Sequence, residues 1–138
     1  MCKDCILGCE LPIIKVKENT STFEMQNQNR RKIDKMKIDG CVITKGVRCD
    51  WMFIDQLSKK EIYVELKGRD VEHAYDQITK TVAQLTKTRD SKNGIIVCTK
   101  CPLTDTKSQV IKAKARKQNI VLTIKSRIYT DTIEHLIQ

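Results

Sequence analysis

A chain of 138 residues with 40% hydrophobic content has the length of one domain and the apolar material for its own core. No apolar run approaches the roughly 18–20 residues of a membrane-spanning helix. The opening Met1-Cys2-Lys3-Asp4-Cys5 carries an acid early and lacks the apolar core of a secretory leader, so a cytoplasmic protein without membrane partners is expected. The net charge of +9, from 26 Lys and Arg against 17 Asp and Glu, points to a polyanionic partner such as nucleic acid. Aromatic residues make up only 4%, which argues against stacking platforms for single strands.

Residues 1–20 are poorly patterned. They hold a C-x2-C-x3-C cluster (Cys2, Cys5, Cys9) and a short apolar run from Leu11 to Val16 that reads as an edge strand, with Pro12 near its start. Ser21 or Thr22 can cap a short helix or turn through Phe23, Glu24 and Met25, ahead of the polar run Gln26–Arg31. Strand patterning follows over 32–44, interrupted by Asp39-Gly40, and again over 48–55. Residues 61–68 form a third strand, in which Ile62, Val64 and Leu66 alternate with Tyr63, Glu65 and Lys67. Asp70 is placed to cap a helix over 70–88, whose Val71, Ala74, Tyr75, Ile78, Val82 and Leu85 make one apolar stripe. Ile95–Cys98 reads as a strand covered on both faces. Thr104 or Asp105 can cap a second helix over 106–118, Ile120–Ile124 is a further strand, and the tail from Thr130 can form a short helix. Three consecutive strands followed by alternating helix and strand imply an α/β fold with a mixed sheet.

Glu65 and Lys67 are charges in a strand that is otherwise apolar, and charged residues are seldom buried unless paired or bound to metal. An even-numbered loop over 56–59 pairs Asp55 with Lys60 and sets Asp50 opposite Glu65. Two carboxylates about 5 Å apart repel unless a proton or cation lies between them. Such a pair, with room for water, suits Mg²⁺, and a lysine on the same face can orient an attacking water and stabilise negative charge. The plainer alternative is a cross-strand salt bridge between Lys67 and an acid.

Arg48-Cys49-Asp50-Trp51-Met52-Phe53-Ile54 and Tyr63-Val64-Glu65-Leu66-Lys67-Gly68 together resemble the core of the PD-(D/E)xK nuclease superfamily, over roughly residues 21–100. The resemblance implies a restriction-endonuclease-like three-layer core: a helix, an antiparallel three-stranded meander, a crossover helix and a further strand. It also implies that Asp50, Glu65 and the carbonyl of Leu66 hold Mg²⁺, with Mn²⁺ as a substitute, and that Lys67 is the catalytic lysine. Many members add a glutamate from the first helix, for which Glu24 is the candidate and Asp39 the alternative. Several branches carry a glutamine on the helix after the strand, here Gln77, with His73, Lys80 and Gln84 on roughly the same side. Cys49 stands where the nominal motif has proline.

Lys107, Lys112, Lys114, Arg116 and Lys117 form the densest basic region, able to follow a phosphate backbone or simply to be a solvated face. The seven cysteines read first as reduced, small hydrophobes. Cys2, Cys5, Cys9, Cys98 and Cys101 could otherwise supply a structural Zn²⁺ or iron–sulfur site. The expectation is therefore a metal-dependent endonuclease acting on duplex or branched DNA, as a homodimer or as a subunit of a larger complex. The alternative is a non-catalytic nucleic-acid-binding or protein-interaction module that retains the fold.

Overall fold

The computed structural model describes residues 5–100 and 104–138, with Lys67 and Gly68 given by their backbone alone. The described chain is α/β. Its strands are β1 (Ile6–Cys9), β2 (Ile13–Glu18), β3 (Ser21–Gln26), β4 (Ile33–Lys37), β5 (Trp51–Asp55), β6 (Glu61–Gly68), β7 (Lys92–Cys98), β8 (Ile120–Ser126) and β9 (Ile128–Thr132). The helices are α1 (Val71–Leu85), α2 (Asp105–Arg116) and α3 (Ile133–Leu136). Six strands form a mixed sheet in the order β1-β4-β5-β6-β7-β8, and β2-β3-β9 form a second sheet.

The large sheet is antiparallel from β1 to β6 and parallel from β6 to β8. Antiparallel neighbours need no crossover, so β4-β5-β6 form a meander joined by residues 38–50 and by the shorter loop 56–60, whereas parallel neighbours need crossovers, supplied by α1 and α2. Both crossover helices pack on one face, where Val71, Ala74, Tyr75 and Ile78 of α1 and Ile111 and Ala115 of α2 meet Met52, Tyr63, Ile96 and Leu122. The other face carries Phe53, Ile62, Val64, Leu66, Ile95 and Val97, covered by Ile14, Val16, Phe23 and Met25 of the second sheet and by α3. Strand alternation thus divides the β6 and β7 side chains between two cores, which is why both strands read as almost continuously apolar. Gly94 sits at the tightest point of the helical side: a Cβ there would lie 3.0 Å from Ile120 Cγ2 and 3.3 Å from Leu122 Cδ1.

The helices follow their sequence cues. Asp70 caps α1 by accepting from the His73 amide, and Thr104 caps α2 by accepting from the Lys107 amide. Ile111 and Ala115 are the buried residues of α2, and Val110 is exposed.

Two expectations are corrected. Residues 21–26 are not a helix but β3, the centre of the second sheet: Phe23 and Met25 face the core, and the strand pairs with β2 and, in parallel, with β9. A three-stranded sheet therefore occupies the layer where a first helix was expected. The cysteines are not all reduced, because Cys5 and Cys41 form a disulfide across 36 residues. With its sulfur bonded to Cys41, Cys5 has no thiolate to give to a metal cluster. Of its suggested companions, Cys98 is buried in β7 and is itself disulfide-bonded, so it too has no thiolate to give, and Cys9 is a half-buried free thiol on β1; Cys2 and Cys101 lie outside the described residues.

Candidate functional site

The hairpin register is the one the loop length implies. Trp51 pairs with Val64, Met52 with Tyr63 and Ile54 with Glu61. At the open end, the Asp50 amide donates to Val64 O at 3.1 Å, which carries the ladder to Asp50 beside Glu65. Both side chains point to the helical face and are almost sealed, Asp50 at 4% and Glu65 at 3% exposure. Asp50 Oδ2 accepts from the Leu66 amide at 2.8 Å. The two carboxyl groups are within hydrogen-bonding reach of each other. Glu65 Oε1 is buried and has no hydrogen-bond partner among the described residues.

This is an unfavourable place for two negative charges. Burial pushes the Asp50 carboxyl up to about 6, with Glu18 and Asp39 adding to the rise while the Leu66 amide opposes it. Burial also pushes Glu65 up, to about 9, helped by the charge of Asp50 and by Glu18 and Asp39. Near neutral pH the pair holds a proton unless a cation replaces it.

The pair opens into a cleft of about 290 Å³ lined by Asp39, Gly46, Val47, Arg48, Asp50, Glu65, His73 and Gln77. Its frame is rigid where α1 meets the start of β5. The Cys49 amide donates to Thr81 Oγ1 at 2.8 Å, and Gln77 Nε2 donates to Arg48 O at 3.0 Å. The opposite wall is the loop after β4, in which the Ile38 amide donates to Asp50 O at 2.9 Å and Gly40 takes φ +76°. The Cys5–Cys41 disulfide ties this loop to the start of β1. Cys49, beside Asp50, is fully buried, and burial pushes its thiol up to about 12, so it behaves as an inert small hydrophobe.

The cleft brings together Asp50, Glu65 and Gln77 from the sequence expectations, and it includes His73 and the alternative acid Asp39. The Gln77 amide N–H is engaged with the Arg48 backbone, so its visible work is to hold the wall. Lys67 lies on β6 two positions beyond Glu65, but the pairing with β7 slips between Leu66 and Gly68, a bulge at which the two-residue alternation stops. Strand period therefore does not fix the face that Lys67 takes. Glu24 is not among the cleft residues. It alternates with Phe23 and Met25 on β3 and so lies on that sheet's outer face.

The cations of α2 are dispersed. Lys107, Lys114, Arg116 and Lys117 are exposed and Lys112 is half-buried. The helix runs back from the end of β7 to the start of β8, so Arg116 and Lys117 lie towards the strand ends opposite Glu65. Glu18 and Arg48 were missed by the sequence reading. Arg48 had a usable signal, since it stands two residues before Asp50, and Glu18 had none.

Among the described residues no three His, Cys, Asp or Glu side chains gather closely enough to hold a metal by themselves, and no helix is long and apolar enough to cross a membrane. No protein-family model, curated protein or solved structure matches the chain.

Proposed function

We propose that the chain is a divalent-metal-dependent DNA endonuclease with a restriction-endonuclease-like core of the PD-(D/E)xK kind. The observation that carries this reading is the sealed, opposed pair Asp50–Glu65, in which Glu65 Oε1 is buried without a hydrogen-bond partner among the described residues. A buried acceptor without a donor costs stability on the order of 1–3 kcal/mol, more when charged, so a cation held there would offset that cost. The donor set is hard oxygen, which suits Mg²⁺ or Mn²⁺. Asp50, Glu65 and the Leu66 carbonyl would hold the ion, with water and phosphate oxygens completing its shell. When bound, it supplies Lewis-acid stabilisation of a phosphodiester and acidifies a water. Lys67 orients that water and offsets negative charge at the scissile phosphate. α1 and the loop after β4 hold the walls, and the cations of α2 add non-specific attraction for the DNA backbone. Cutting both strands takes two such sites, so a homodimer or a larger assembly goes with this reading. A cytoplasmic setting also goes with it, although a Cys5–Cys41 disulfide is commoner in oxidising compartments.

One observation favours the alternative, a binding module without catalysis: no third carboxylate closes on the pair among the described residues. Cleavage of plasmid and branched DNA with Mg²⁺ and with Mn²⁺ separates the two readings. The wild-type protein is expected to cut, and Glu65→Ala and Lys67→Ala are each expected to lose about 10³-fold or more, the scale of removing an electrostatic stabiliser. Cutting that survives both substitutions contradicts the mechanism, and salt-sensitive binding without cutting supports the module.

A further inference from the structure

Three acids line the cleft, Asp39, Asp50 and Glu65, and Glu18 adds to their field. A phosphodiester carries a negative charge of its own, so a cleft this acidic repels it unless fixed cations face it. Arg48 is the only lysine or arginine among the described cleft residues. Its side chain is a quarter exposed and its guanidinium is held at two points: Nε donates to Asp39 Oδ1 at 2.7 Å and Nη1 donates to Gly46 O at 2.6 Å. A guanidinium has five donors, and the others take no partner among the described residues. The Arg48 backbone is fixed as well, by Gln77 on its carbonyl and through Cys49 by Thr81.

A fixed planar fork with donors to spare is what bidentate phosphate recognition requires. The same pairing could be an ordinary surface ion pair, which contributes little. Three features separate Arg48 from that case: its backbone is bolted at both Arg48 O and Cys49 N, it stands two residues before Asp50, and its head lines the same cleft.

From these contacts we propose that Arg48 is a phosphate-positioning residue: its guanidinium, steered by Asp39 and the Gly46 carbonyl, binds a non-bridging oxygen of the DNA backbone beside the Asp50–Glu65 pair. This rests on the reading of the cleft as a DNA-cleaving site and adds the group that admits the substrate's charge. The role is distinct from that of Lys67, because Arg48 contributes to holding DNA and not to activating water.

The test uses the full chain and a fluorescent 20-base-pair duplex. Binding is measured in Ca²⁺ across a salt series, and cleavage in Mg²⁺ across DNA concentrations. The variants are Arg48→Met, Arg48→Lys and, as a control removing equal charge from the neighbouring exposed turn, Lys45→Met. Arg48→Met is expected to weaken binding about 10-fold or more, the scale of a lost charge-assisted hydrogen bond. It should also lower the salt slope by about one phosphate contact. In cleavage, KM should rise while kcat changes a few-fold at most. Arg48→Lys keeps the charge without the fork and is expected to lie between wild type and Arg48→Met, which also answers the case in which Arg48→Met fails to fold. Lys45→Met should stay within about 3-fold of wild type. Arg48 variants that bind like Lys45→Met overturn the clamp, while cleavage by wild type would still uphold the nuclease reading. Wild-type protein that binds but does not cut removes the nuclease reading and leaves the clamp to the binding comparison. Wild-type protein that neither binds nor cuts overturns both.

Discussion

The β5–β6 hairpin carries two acidic sites, one at each end, about 17 Å apart by strand rise, and they are built in opposite ways. At the closed end Asp55 is 1% exposed and fully partnered: Arg31 Nε and Nη2 donate to its two oxygens at 3.0 and 2.7 Å, and the Ser58 amide adds a bond at 2.9 Å. Glu61 beside it is 2% exposed and accepts from Tyr63 Oη, Thr86 Oγ1 and the Lys87 amide. Burial alone would raise the Asp55 carboxyl, yet Arg31 and Ser58 hold it below its ordinary range. At the open end burial is nearly the same, but Asp50 and Glu65 face each other, Glu65 Oε1 has no hydrogen-bond partner among the described residues, and both carboxyls are pushed up. Burial therefore does not by itself set the state of an acid. The partners do: the closed end is neutralised and hydrogen-bonded by Arg31, Ser58, Tyr63 and Thr86, whereas at the open end the described residues bring two carboxyls together with one backbone donor, the Leu66 amide.

The largest expected effect on this contrast comes from the disulfide. Replacing Cys5 and Cys41 by Ser removes a cross-link over 36 residues and should lower global stability by about 3–4 kcal/mol. Hydrogen exchange should then rise in the loop after β4 and the Asp39–Arg48 wall, while Arg31 and Asp55 stay protected. Equal loosening at both ends would mean that the disulfide does not belong to the cleft.

Next in size is the closed end. Asp55→Ala leaves the partly buried Arg31 guanidinium without its fork partner, and denaturant melts should show a loss of about 2–4 kcal/mol. Smallest, and opposite in sign, is Glu65→Gln. It removes a carboxyl that the metal-free fold accommodates only by taking up a proton, and should stabilise that fold by about 1 kcal/mol or more at pH 8.

The pH dependence follows from the same difference. The Asp50 and Glu65 carboxyls are raised in the folded protein, so between the ordinary carboxylate range and about pH 9 the folded state binds more protons than the unfolded one. Stability from the open end is complete below the unfolded values and is lost as pH rises. Asp55, held low, contributes stability above its unfolded value and loses it on acidification. Metal-free melts of wild type and Glu65→Gln should diverge as pH rises from 5 to 9, and parallel curves would count against the shared-proton pair.

Much of the α/β plan is legible in the sequence, because it rests on local signals. The stripe from Val71 to Leu85, the caps Asp70 and Thr104 and the even loop after Asp55 are each decided within a few residues, and the hairpin register follows. β3 was not legible although its hairpin partner β2 lies just across residues 19–20: its second partner, β9, lies about a hundred residues away, and Phe23 and Met25 alternate too briefly to announce a strand. The Cys5–Cys41 pairing is equally non-local, and an odd set of seven cysteines does not fix its own connectivity. The acid pair was legible from register alone. Glu18 reaches its neighbourhood only through the packing of the second sheet. The bulge at Lys67 had one cue, Gly68, whose strand-breaking tendency was visible while its effect on register was not.

The most direct measurement of the central claim is thermal unfolding of wild type and Glu65→Gln across a Mn²⁺ titration at pH 7.5. The account predicts that Mn²⁺ raises the wild-type midpoint with the logarithm of its free concentration above the site's Kd, displacing the shared proton, and leaves Glu65→Gln nearly unchanged. An equal shift in both proteins, or none in the wild type, would contradict a cation site at Asp50–Glu65.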